Sequence, residues 1–142
     1  MKILNQQIFE NKEAAALPGL MESGGLPALV SGLSGIHRVN LAAALYENLE
    51  LPMFVVCPDD SAAESFTRDL ESMLGRPVNT LYSRDFTFYP SLAASREAEQ
   101  KRLYVLNALR CGESPVTVAT VSALMQRAIP PQTLGKATFT VK

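Results

Sequence analysis

Apolar residues along this chain fall alternately into short continuous runs and into rows at helical spacing, and the alternation defines its elements. The first 23 residues are weakly helical, with Pro18-Gly19 interrupting, and Ser23-Gly24-Gly25-Leu26-Pro27 is a turn that launches a short apolar strand at 28–30. Val39, Ala42, Ala43, Tyr46 and Leu49 then recur at helical spacing, and Pro52 bars continuation. Residues 53–57 (Met-Phe-Val-Val-Cys) are apolar without a break, as expected of a strand covered on both faces. Ser61 and Glu64 have capping-box spacing ahead of a stripe of Ala62, Phe66, Leu70 and Met73, which Gly75 and Pro77 stop.

The second half repeats the rhythm. A strand over 78–81 is followed by an irregular aromatic stretch, 84–95, and a helix over 96–110 with Leu103, Tyr104, Leu106 and Leu109 inward. A β-branched strand covers 116–120, a short helix 122–127, and Pro130-Pro131 marks a boundary before a strand-like stretch at 137–141. Strands alternating with helices predict a three-layer α/β fold: a mostly parallel sheet with helices on both faces. Ligands of such sheets bind beyond the strand carboxyl ends, which is where the segment after residue 30 is expected.

Composition narrows the function. A length of 142 residues fits one domain with a real core, and a net charge of −1 provides no global basic field for nucleic acid. The start turns polar before any signal-peptide core develops, and no apolar run approaches the roughly 20 residues of a membrane span. Cys57 and Cys111 have neither each other's company nor clustered histidines, so the expectation is a cytoplasmic protein with reduced thiols and no metal site.

The most distinctive local feature is Gly32-Leu33-Ser34-Gly35-Ile36-His37-Arg38-Val39. A working phosphate loop reads G-x-x-x-x-G-K-[ST] between a strand and a helix; its backbone amides cradle phosphates, its lysine reaches the terminal phosphate and its hydroxyl ligates Mg²⁺. With Gly32 as first glycine, His37 replaces the second glycine, Arg38 the lysine and Val39 the hydroxyl. A side chain at the second glycine obstructs the cradle, and an isopropyl group cannot ligate a hard cation. Gly32, Ser34, Gly35, His37, Arg38 and Val39 thus form a vestigial phosphate loop, with no catalytic residue and no cofactor assigned. Asp59-Asp60 imitates a Walker B acidic pair but reads better as a helix cap. Phe86, Phe88 and Tyr89 have the composition of a base-stacking platform, although packing explains them equally. Arg96, Lys101, Arg102 and Arg110 share their helix with Glu97 and Glu99, the pattern of a solvated face.

Several stretches taken together resemble the N-terminal region of bacterial transcription-repair coupling factor. They are Val30-Ser31-Gly32-Leu33-Ser34-Gly35, Phe54-Val55-Val56-Cys57-Pro58, Tyr89-Pro90 with Ser95-Arg96-Glu97, Gln100-Lys101-Arg102-Leu103, and the run from Val118 to Arg127. That family is an ATP-driven DNA translocase that displaces stalled RNA polymerase and recruits nucleotide-excision repair. Its first module, whose Walker A loop is degenerate, is similar to domain 1 of UvrB, a RecA-like P-loop NTPase fold. The resemblance implies a lead-in at 1–25, a degenerate P-loop subdomain at 26–131, and at 132–142 the start of a UvrA-contacting subdomain. ATP and Mg²⁺ then belong to a downstream motor, and the partners are the rest of the translocase, UvrA through the following subdomain, and RNA polymerase and DNA through later domains. Two rival readings remain open on the residues alone: a nucleotide-binding ATPase or helicase fragment, and a single-stranded nucleic-acid-binding module.

Overall fold

Five successive buried residues, Val116–Thr120, mark the strand at the centre of the sheet. The structure, a computed structural model, describes residues 7–84 and 96–138. Its helices are α1 (Lys12–Glu22), α2 (Gly35–Leu49), α3 (Asp60–Leu74), α4 (Arg96–Cys111), α5 (Val121–Met125) and α6 (Pro131–Ala137), with a 3₁₀ turn at Ile8–Glu10. The strands are β1 (Met53–Cys57), β2 (Asn79–Leu81) and β3 (Val116–Thr120). The chain separates into two compact units, residues 1–52 with 66–77 and residues 53–65 with 78–142.

The second unit holds the sheet, which is parallel throughout in the order β1-β3-β2. Met53 pairs with Val116 and Cys57 with Thr120 on one side of β3, while Asn79 pairs with Thr117 and Leu81 with Ala119 on the other. The predicted strands 53–57, 78–81 and 116–120 are therefore present and parallel, β2 starting one residue late. The expectation that β1 is covered on both faces is corrected: Phe54 and Val56 are exposed while Cys57 is buried. An apolar run does not distinguish an edge strand from a central one, because each can be made of the same residues. Leu81, Val105, Ala119 and Ala123 form a buried cluster, with Leu106 and Leu109 packed against it. At the amino end of the sheet, Asn79 Nδ2 donates to Ser114 Oγ (2.8 Å), which shares a 2.7 Å hydrogen bond with the buried Thr117 hydroxyl. Thr120 closes β3 and opens α5, its Oγ1 accepting from the Ala123 N–H at 3.1 Å.

The first unit contains α1, α2 and the second half of α3. Val39, Leu41, Ala43 and Ala44 are its buried positions on α2, and Leu70 is fully buried on α3. The Arg76 guanidinium lies 4.5 Å from the centre of the Tyr46 ring and donates to the Tyr46 hydroxyl.

Several expected elements differ. Residues 28–30 form no strand; Leu29 is 95% exposed, and the three-stranded sheet contains no partner for them. Apolar β-formers become a strand only where a neighbour takes their backbone bonds. The segment after residue 30 consequently follows no strand carboxyl end. Helix α1 runs through Pro18 where a break was expected, since proline's fixed φ is compatible with a helix that forgoes one bond. Pro130-Pro131 starts helix α6, with Pro131 in the first turn where its missing N–H costs nothing, so Ala137 ends a helix and does not begin a strand. Residues 139–141 of that expected strand lie outside the described residues, as do Phe86, Phe88 and Tyr89.

Candidate functional site

Gly32 bends the chain ahead of α2 with φ of +81°, a conformation glycine adopts without strain. Ser34 follows as the N-cap residue, yet its hydroxyl bonds no helix amide; it shares a 2.7 Å hydrogen bond with His37 Nδ1. Helix α2 already begins at Gly35, which puts His37 and Arg38 in its first turn, with the Arg38 N–H donating to the Ser34 carbonyl at 3.1 Å. The Arg38 side chain folds back, Nε donating to the Leu33 carbonyl at 3.0 Å. Val39 turns the opposite way and is 2% exposed. Ser34, Gly35, His37 and Arg38 are thus gathered at an exposed helix start, while the residue in the hydroxyl-ligand position belongs to the core. A cleft of about 320 Å³ beside them is lined by Val30, Leu33, Leu41, Ala42 and Leu45 together with Ser31 and Gly32, with Arg38 as its charged residue.

At the start of α3, Asp59 Oδ1 accepts from the Ala62 N–H at 2.8 Å. Asp59 therefore caps this helix, as the reading of the acidic pair expected, and the capping box assigned to Ser61 is corrected because Ser61 lies within the first turn. Burial, and next the Asp59 carboxylate, push the Cys57 thiol up.

A second, polar cleft of about 390 Å³ lies in the other unit, lined by Asp60, Glu64, Thr80, Tyr82, Lys101 and Arg102 among others. Burial and then Glu64 push the Tyr82 phenol up, with Asp60 adding and Thr80 and Lys101 opposing. Lys101 pairs with Glu97 at 2.8 Å on the solvated side of α4, one turn away. Arg102 contradicts its assignment to that solvated face: it is 4% exposed, Nη1 donating to the Tyr82 carbonyl (2.7 Å) and Nη2 to the Ala123 carbonyl (3.2 Å). Burial first, then neighbouring Arg84, lower its affinity for its proton, and Glu99 opposes them. The inward row of α4 is Arg102, Val105 and Ala108, not Tyr104, which is 68% exposed. The i, i+3, i+6 spacing of that row was a signal for Arg102; none in the sequence pointed to Gln126, whose amide pairs with the backbone of Arg84.

Among the described residues, no group of three or more His, Cys, Asp or Glu is placed to hold a metal ion, and no helix is long and apolar enough to cross a membrane. No protein-family model matches the chain, and no solved structure does. Over 135 residues the chain is 32% identical to the transcription-repair-coupling factor of Bacillus subtilis. The alignment takes in 91% of this chain and 11% of that protein, so the chain spans only a small part of the relative's length. The resemblance carried by separate motifs therefore extends across nearly the whole sequence.

Proposed function

We propose that this chain, a relative of one stretch of transcription-repair-coupling factor, is a non-catalytic, UvrB-like scaffold module of a transcription-coupled DNA repair translocase. The observation that carries the reading is the arrangement of the loop before α2. Three groups that a phosphate site would turn outward are otherwise engaged: Ser34 with His37, Arg38 Nε with the Leu33 carbonyl, and Val39 in the core. Such a loop retains the free amides of any helix start, but no oxygen ligand for Mg²⁺ and no extended cation for a terminal phosphate. In this reading ATP turnover belongs to other parts of a longer translocase. UvrA, RNA polymerase and DNA are then met through those parts, in a cytoplasmic setting.

Thermal unfolding with and without MgATP tests it. A ligand at a hundred times its dissociation constant adds about 2.7 kcal/mol of stability, which is an easily measured rise in Tm. The expected result is no rise and no phosphate release. A Mg²⁺-dependent rise that Arg38→Ala abolishes would overturn the scaffold reading in favour of a nucleotide-binding ATPase fragment.

A further inference from the structure

Beyond the end of β2 the chain continues through Tyr82, Ser83 and Arg84 outside the strand ladder, and side chains meet the backbone there. The Tyr82 carbonyl accepts from Arg102 Nη1 at 2.7 Å. The Arg84 N–H donates to Gln126 Oε1 at 2.7 Å, and the Arg84 carbonyl accepts from Gln126 Nε2 at 3.1 Å. One primary amide thereby takes both polar groups of one residue, the exchange that a neighbouring strand makes in a ladder. Arg102 reaches onward to the Ala123 carbonyl of α5 at 3.2 Å, and Arg84 Nε lies 3.2 Å from Glu99 Oε1 of α4.

We propose that Gln126 and Arg102 form a latch that holds residues 82–84 at the carboxyl end of the sheet and opens independently of the sheet. The two kinds of bond differ in what must move. Separating β2 from β3 exposes Val118 and Ala119, both fully buried, whereas releasing residues 82–84 breaks the side-chain bonds of Gln126 and Arg102 and the Arg84–Glu99 pair. Segments with few buried apolar contacts open locally, while core strands open with the whole unit. The latch also has a place to act. Tyr82, Ser83 and Arg102 line the polar cleft, so opening rebuilds one wall of it, at the end of a parallel sheet where ligands characteristically bind.

Amide hydrogen exchange, read at Arg84 and Val118 in the whole chain, tests the latch. The Gln126→Leu variant is expected to speed exchange at Arg84 by about tenfold or more, the loss of one net hydrogen bond or more, and to leave Val118 unchanged. Exchange at Arg84 that stays as it was, or that speeds up together with Val118, overturns the proposal. Should that variant not fold, the unmodified chain in low denaturant decides. Local opening gives Arg84 exchange that scarcely responds to denaturant, and a response as steep as that of Val118 means there is no independent latch.

Discussion

A single guanidinium, that of the buried Arg102, satisfies two carbonyls, and its removal strands both. Arg102→Met keeps much of the apolar stem but leaves one buried and one part-buried acceptor unpaired, at a cost of about 2–4 kcal/mol, the range for losing charged hydrogen bonds together with the penalty on their partners. Chemical denaturation should show that loss. Lys101→Ala, which removes only the exposed partner of Glu97, should leave the midpoint unmoved; equal losses from both would mean that the Arg102 bonds carry no special weight. Cys57 and Tyr82 add a pH dependence. In both, the folded state favours the protonated form, so the unfolded chain ionises first as pH rises. Each contribution is intact below that group's ordinary range, the thiol range for Cys57 and the phenol range for Tyr82, and is lost as pH climbs through it towards the raised folded value. The Tm should therefore hold near neutrality and fall from about pH 8.5 upward, with Cys57→Val delaying the onset. An unchanged onset in that variant would remove Cys57 from the account.

At the scale of the elements, caps and breakers decide where each piece begins and ends. Asp59→Ala removes the acceptor for the Ala62 amide and should destabilise the chain by about 1 kcal/mol, the usual cost of a lost N-cap. Ser61→Ala, inside the first turn, should change stability by less than about 0.5 kcal/mol. The reverse ranking in urea unfolding would restore Ser61 as the cap. The sequence carried both candidates two residues apart, and only the helix path tells which carbonyl-to-amide turn closes first. Gly75 was legible as a stop for a simpler reason: it adopts a positive φ just past α3, a local demand that needs no tertiary information.

For the whole molecule, the relation to transcription-repair-coupling factor sets the scale at which function is expected. The chain matches 11% of that protein, and in the proposed reading UvrA is met through a following subdomain that starts at 132–142. This chain alone is therefore expected to bind UvrA weakly or not at all. A longer protein that includes the succeeding stretch should bind it, since a specific interface needs roughly 800 Å² on each partner around a buried anchor. Titration calorimetry on both would decide, and tight binding by the short chain would move the recruitment surface onto the α/β fold itself.

The sequence by itself determined which segments are helix and which are strand through most of the chain, because periodicity, proline and glycine act within a few residues of one another. The run 116–120 announced a β-branched strand, and His37, Arg38 and Val39 carried the expectation of an altered phosphate loop. Only the tertiary structure decided partners and faces. It withheld a ladder from 28–30, left Phe54 and Val56 of β1 exposed, turned Arg102 inward and set Gln126 against Arg84. Each of these depends on residues distant in sequence coming side by side. A β-former without a neighbour stays a loop, and an arginine is buried only where carbonyls from other elements meet its charge.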